Sequence, residues 1–285
     1  MIIWIASYPK SGNTWIRSLL SAYLFSKKGD FNFSLLKNIE QFSSSDFKSQ
    51  NGENIHYQAR ISKNWIPAQK IINNDNKIHI LKTHNAICSI SGNYFTDKFN
   101  TIGAIYIVRD PRNLVTSLSH HYSMKLDDSY KFLTNKRKII FPLNKDILNP
   151  EKDPKDFNFL SDWATHYKSW KNINFCSVKI IRYEDFMVNT KEIFISILKY
   201  LSSFIDIKID ENKIDNAINS TKFDQMSEME DKLGFDESVT SSKTNKKVKF
   251  FHLGKKNDWK ILLDKSVKNK IETSFQNEMK ELKYF

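Results

Sequence analysis

The chain has 285 residues, 40% of them hydrophobic and 27% charged. That is enough to bury the core of one large domain, and no run approaches the ~20 apolar residues of a membrane span. Its two cysteines, Cys88 and Cys176, exclude a disulfide framework and sit at no metal-type spacing, so neither a secreted scaffold nor a bound metal is expected. The net charge of +12 admits a polyanionic partner, but lysine carries most of it and the six arginines (17, 60, 109, 112, 137 and 182) form no cluster, which speaks against a nucleic-acid groove.

In chain order, residues 2–7 are an apolar run that reads as a buried strand. No basic leader or small-residue cleavage site precedes it, so no secretory signal is expected and a reducing, cytoplasmic setting is the default. Apolar pairs at 15/16, 19/20 and 23/24 then predict a helix over 14–25. Residues 28–60 are polar and poorly periodic, and 61–72 can form a short helix. Strands are predicted at 78–82, 102–108 and 178–183. One helix follows Asp110-Pro111, where the aspartate can cap and proline fits the first turn. Others are predicted over 157–171 (Phe157, Leu160, Trp163, Ala164, Tyr167 and Trp170 on one side), from Thr190, and over 266–282. Strands alternating with helices give an α/β fold, a central parallel sheet flanked by helices, in a single domain over 1–285. The polar segments 28–70 and 225–258 are long for connections, which suits a lid or acceptor-binding role.

Chemistry concentrates where strands end. The stretch Tyr8-Pro9-Lys10-Ser11-Gly12-Asn13-Thr14-Trp15 joins the first strand to the first helix. Such a turn is an anion site, because free N–H groups and the helix dipole face out of the helix start. Gly12 lets a phosphate come close, Lys10 brings a full charge, and Ser11, Asn13 and Thr14 bring side-chain donors. A nucleoside-triphosphate P-loop carries its lysine after the last glycine, whereas Lys10 lies two residues before Gly12. Lys82-Thr83-His84 ends the second strand and Arg109-Asp110-Pro111 the third, on the sheet edge where ligands of parallel sheets sit.

Taken together, these motifs resemble the cytosolic-type sulfotransferases that use 3′-phosphoadenosine 5′-phosphosulfate. The likeness spans most of the chain. It implies a P-loop-like phosphosulfate loop at residues 8–15, a catalytic Lys82-Thr83-His84, and a 3′-phosphate pair of Arg109 and Ser117. Tyr183-Glu184-Asp185 is similar to the family's Tyr-Glu-Asp, and Trp15, Thr221 and Phe223 fall at its adenine contacts. Gly254 to Lys260 resembles the closing Gly…Asp-Trp-Lys. One departure stands out: the basic pair usual before that glycine is replaced by His252-Leu253, so that Lys255 or Lys256 would have to substitute. The family's C-terminal dimerisation signature is not recognisable, which leaves the oligomeric state open.

The implied reaction moves a sulfuryl group to a hydroxyl or amine. His84, titrating near working pH, suits the general base. Lys10 can follow the charge that develops on the leaving phosphate, Lys82 can steady the sulfuryl oxygens, and the resemblance gives Ser117 the role of tethering Lys10. No metal is implied. His120 and His121 point apart on a helix and are given no metal role, while His56, His79 and His166 are structural, as are Trp163, Tyr167 and Trp170. The run Lys243, Lys246, Lys247 and Lys249 is a solvated lid face. Acceptors left open are a small molecule, a glycan or a lipid headgroup, shaped by 28–70, 118–150 and 230–250 with aromatics such as Phe31, Phe33, Trp65, Tyr122, Tyr130 and Phe235. Two alternatives remain: a P-loop kinase-like phosphotransferase, which would need Mg²⁺, and a non-catalytic module binding nucleotide or nucleic acid with steep salt dependence.

Overall fold

A computed structural model describes residues 1–45, 56–141, 154–241 and 243–285. Its central sheet has four strands: β1 (Ile2–Ser7), β2 (His79–Thr83), β3 (Thr101–Val108) and β4 (Ser177–Arg182). All are parallel, in the order β2-β1-β3-β4. The architecture is the expected one, with each strand within a residue of its predicted position. All six residues of β1 are buried, as an inner strand covered on both faces requires.

Side-chain alternation divides the interior into two cores. Ile2, Trp4 and Ala6 pack with Ala104, Tyr106 and Val108 on one face, and Ile3 and Ile5 pack with Ile105 and Ile107 on the other. Helices α1 (Asn13–Phe25) and α4 (Thr190–Leu201) cover the second face through Ile16, Leu19, Leu20, Phe194, Ile197 and Leu198. The first face is covered by α2 (Pro111–His121), α3 (Trp163–Lys171), α6 (Lys265–Ser274) and α7 (Gln276–Glu281). Trp163, Tyr167 and Trp170 are core residues, as their spacing predicted.

Four segments differ from expectation. The 157–171 helix begins only at Trp163, because Asp162 caps it by accepting from Thr165 N at 2.9 Å. Before it, Asn158–Phe159 pairs antiparallel with Ile139–Ile140, so Phe157 and Leu160 mimic helical spacing while buried from extended chain. The 266–282 helix is two helices, broken at Phe275 (φ −123°), whose ring turns in against Trp163 at 5.1 Å. The polar 225–258 segment starts inside a helix, α5 (Phe223–Leu233), with Met226 and Glu230 buried. Within 28–72, a 3-10 helix runs over Phe33–Asn38, a short α-helix over Tyr57–Ser62 and another over Trp65–Ile72; residues 46–55 lie outside the described residues. Trp65, Phe31 and Phe235, expected at an acceptor mouth, are buried in the core instead.

The C-terminal helices are fastened to the sheet's carboxyl edge by Arg112. Its guanidinium bonds Asp110 at 2.7 Å, Glu272 at 2.7 Å and the Tyr284 carbonyl at 2.6 Å, and it lies 3.9 Å from the Trp259 ring. Only 5% of the Arg112 and Asp110 side chains is exposed. Removing one partner of such a buried pair strands the other's charge, at about 3–5 kcal/mol. Arg112→Ala should therefore lower the urea midpoint by the equivalent of about 3 kcal/mol or more, and Arg112→Lys, which lacks the fork, should restore less than half. Equilibrium unfolding followed by circular dichroism measures both.

Candidate active site

Parallel register delivers the functional residues to one rim. Ala6 is level with Thr83 and Tyr106, Ser7 with Ile107, and Val108 with Arg182. The next residues of each strand, the 8–12 loop, His84, Arg109 and Tyr183, emerge side by side.

The first loop is held from outside. Lys10 sits at φ +67°, a region L-residues seldom adopt without support. Arg109 supplies it, donating from its guanidinium to the Lys10 carbonyl at 2.8 Å. The same guanidinium lies 4.3 Å over the Tyr183 ring. That ring in turn occupies the space a side chain at position 12 would need: a Cβ on Gly12 (φ +104°) would fall 2.5 Å from it. Lys10, Gly12, Arg109 and Tyr183, far apart in sequence, are thus one unit. Asn13 is turned inward, its amide donating to the Ile5 carbonyl at 3.0 Å and to Ser7 Oγ at 3.2 Å, so it staples the loop. Ser11 Oγ and Arg109 Nε are buried, with no hydrogen-bond partner among the described residues. Buried polar atoms are normally paired, so orphaned donors beside an open helix start fit a polyoxyanion.

Charge is concentrated here. Lys10 is pushed down to about 7 by burial, with Arg109 and Lys82 adding repulsion and Glu237 opposing it. Its ammonium lies 3.3 Å over the Phe250 ring. Burial and Arg17 likewise lower Lys82, with Glu237 opposing. Sequence reading missed two members, Arg17 and Glu237. Arg17, buried on α1, donates to the Ile39 carbonyl at 2.7 Å and to Glu237 at 2.6 Å. Glu237 reaches over from the 225–258 segment and accepts from Lys82 Nζ at 3.0 Å and Thr14 Oγ1 at 2.8 Å. Burial alone would raise its carboxyl; Lys82 and Arg17 outweigh that and hold it well below the usual carboxylate range.

His84 accompanies this cluster in the neutral form. Its Nδ1 donates to the Ser7 carbonyl at 2.8 Å, which leaves Nε2 as the basic nitrogen. Contrary to the expectation of an unperturbed imidazole, burial and neighbouring Lys82 push it down to about 3. His166 bonds the His84 carbonyl at 3.0 Å and the Tyr106 hydroxyl at 2.8 Å, a structural role. His120 and His121 do diverge: His120 stacks on His252 with ring centroids 3.6 Å apart, while His121 turns its edge to Phe250 at 5.8 Å. His252 thus holds its place by stacking on α2, one turn beyond Ser117.

The remaining expected contacts lie around the same rim. Trp15 packs on Phe186 at 4.4 Å and edges Tyr183. Phe223 abuts Gly254, where a Cβ would fall 2.8 Å from its ring. Thr221 is buried with its hydroxyl on the Ala217 carbonyl at 2.7 Å. Lys255 is exposed in the turn Gly254–Lys256. No hydrogen bond joins Ser117 to Lys10 among the described residues.

Such an arrangement, an oxyanion cradle at the carboxyl rim of a parallel sheet with a neutral imidazole beside it, can hold a polyanion next to a base. Comparison with known proteins makes it specific. The sulfotransferase domain family matches residues 2–283, and the chain belongs to that family. It is 23% identical over 238 residues to luciferin sulfotransferase of Photinus pyralis, covering 78% of this chain and 55% of that one, so it spans about half the relative's length. Retinol dehydratase in complex with androsterone and inactive cofactor PAP superposes with a TM-score of 0.60 at 16% identity, over 98% of this chain and 80% of that one. Mouse sulfotransferase SULT7A1 complexed with PAP gives 0.59 at 17% identity, over 98% and 84%. These likenesses establish the fold.

The neutral histidines set an acid limit. His166, His84 and His121 are lowered to about 4, 3 and 2, in each case chiefly by burial. An unfolded histidine takes up its proton near 6.5, and each of these does so only at much lower pH when folded. Their contribution is therefore complete above about pH 6.5 and is lost as pH falls, at ~1.4 kcal/mol per pH unit per histidine down to about pH 4. Denaturant titrations at pH 7.5 and 5.5 should show a marked drop, and His166→Phe should flatten it by about one proton.

Proposed function

We propose that this protein transfers a sulfuryl group from 3′-phosphoadenosine 5′-phosphosulfate to a hydroxyl group of a small-molecule acceptor, with residues 1–285 acting as one unit. The observation that carries this reading is the convergence of Lys10, Lys82, Thr14 and the orphaned donors of Ser11 and Arg109 beside the free Nε2 of His84. Two solved relatives are complexes with PAP, the nucleotide left after such a transfer. Androsterone and retinol in the structures of relatives, and luciferin in the name of another, favour a small-molecule acceptor over a glycan or lipid headgroup.

In this reading the open N–H groups of α1, with Ser11 and Thr14, hold the 5′-phosphosulfate. Arg109 and Ser117 hold the 3′-phosphate, with His252 and Lys255 nearest the place of the family's basic pair. Trp15, Tyr183, Thr221, Phe223 and Gly254 enclose the adenosine. His84 Nε2 takes the acceptor's proton as its oxygen bonds to sulfur. Lys82 steadies the sulfuryl oxygens. Lys10 meets the charge on the departing phosphate as the sulfur–oxygen bond breaks. Burial and Lys82 keep His84 neutral, and anionic oxygens beside Lys82 offset that cation and raise the basicity of His84 when the base is needed. The acceptor enters past Tyr57, Asn135, Arg137, Lys138, Ile139 and Phe141, which line an open hollow of about 370 Å³. Its wall is tied to the base, since Ile140 pairs with Asn158 and Asn158 Oδ1 accepts from His84 N at 3.2 Å.

Incubation with sulfur-labelled donor and a panel of phenols, alcohols and amines, read by mass spectrometry, should show addition of one sulfuryl group that chelators do not suppress. His84→Ala should lower kcat by about 10²–10⁴ while nucleotide affinity stays the same. Lys10→Ala should lower kcat by about 10²–10³. Wild-type turnover by His84→Ala, or chelator-sensitive transfer from ATP, would refute the assignment.

A further inference from the structure

The carboxylate of Glu237 stands in the cradle that the proposed function assigns to the donor. Its Oε2 takes the Thr14 hydroxyl proton at 2.8 Å, and its Oε1 takes Lys82 at 3.0 Å and Arg17 at 2.6 Å. Thr14 has one hydroxyl proton to give, and it cannot serve a carboxylate and a phosphosulfate oxygen together. A carboxylate left at Lys82 would also lie against the sulfuryl oxygens, anion on anion.

The surrounding strap presents this carboxylate deliberately. Glu230, buried on α5, accepts from Ser238 Oγ at 2.6 Å and from the backbone N–H groups of Phe250 and Phe251 at 2.7 and 2.8 Å. Phe235 packs on Phe33, Phe250 and Phe251. The strap therefore lowers two things onto the cradle: Glu237 onto Lys82 and Thr14, and the Phe250 ring onto Lys10. Arg17 has no place in the donor motifs and is only 4% exposed at its side chain, whereas Glu237 is 25% exposed. The fixed partner is the arginine; the lid carboxylate is the one with room to leave.

We propose that Glu237 is a resident counter-ion of the phosphosulfate cradle, exchanged for the donor when it enters and restored when the spent nucleotide departs. This rests on the donor site of the preceding section. A tethered carboxylate acts at a high effective concentration, so small anions such as inorganic sulfate or phosphate are excluded. Only a nucleotide that also gains contacts at adenine and at its 3′-phosphate displaces it. Binding is an exchange of anions coupled to lifting of the strap at residues 234–241, and the sulfuryl group, by claiming Lys82, keeps it lifted until transfer is complete.

The test is calorimetry with acceptor-free 3′-phosphoadenosine 5′-phosphosulfate and, separately, inorganic sulfate, on the wild type and Glu237→Gln. The surface variant Lys270→Ala, on α6 and away from the strap, serves as control. If the cradle is open about a tenth of the time, Glu237→Gln should bind the nucleotide about tenfold more tightly and should gain measurable affinity for sulfate. Hydrogen exchange gives a second readout that needs no variant: in the wild type, amides 235–241 should exchange faster when the nucleotide binds. Equal affinities, or slower exchange at 235–241, would make Glu237 a permanent strut and overturn the proposal. Failure of folded wild type and variant alike to bind the nucleotide would instead remove the donor site itself, and the proposal with it.

Discussion

The site depends on the bond from Arg109 to the Lys10 carbonyl. A lysine at positive φ is an unfavourable way to leave a strand, and the conformation persists because a guanidinium at the end of a neighbouring strand fixes its carbonyl. That bond holds the loop from which α1 starts at Asn13, with Gly12 as its cap. The parallel register underlies it, since β3 must lie beside β1 for Arg109 to reach. Tyr183 from the outer strand then closes the unit against Gly12.

Around this unit the fold gathers more positive charge than it can comfortably hold. Lys10, Arg17 and Lys82 crowd about the carboxylate of Glu237, with Glu230 also acting on Lys10, and burial, reinforced by neighbouring cations, lowers the basicity of both lysines. A site that destabilises its own cations is well matched to a ligand that arrives with negative charge, because the electrostatic cost of assembling the cradle is recovered on binding. Burial, with that field added, keeps His84 unprotonated, the state that a general base requires.

Strands and the phosphate loop were legible because their signals are local: apolar runs ending in small and charged residues. The loss of helix over 157–162 was not, because apolar spacing cannot tell a helical Phe157 and Leu160 from the same side chains buried in extended chain. Arg17 carried a signal that was overlooked: a charged residue in the first turns of a helix whose neighbours Thr14, Ser18 and Ser21 are also small and polar, a polar seam within a buried helix. Glu237 carried none. Its partners are 223, 220 and 155 residues away, and only tertiary structure brings them together. Gly254 was read from resemblance alone; the structure gives its physical reason, a phenylalanine ring with no space for a side chain.

The lowered proton affinity of Lys10 gives the protein a chemical handle. At neutral pH a lysine near 7 is in large part the uncharged amine, the form that attacks electrophiles, whereas ordinary surface lysines remain almost wholly protonated. An uncharged electrophile small enough to enter the cradle would meet that amine there, so Lys10 stands apart from the chain's exposed lysines as a target for covalent labelling.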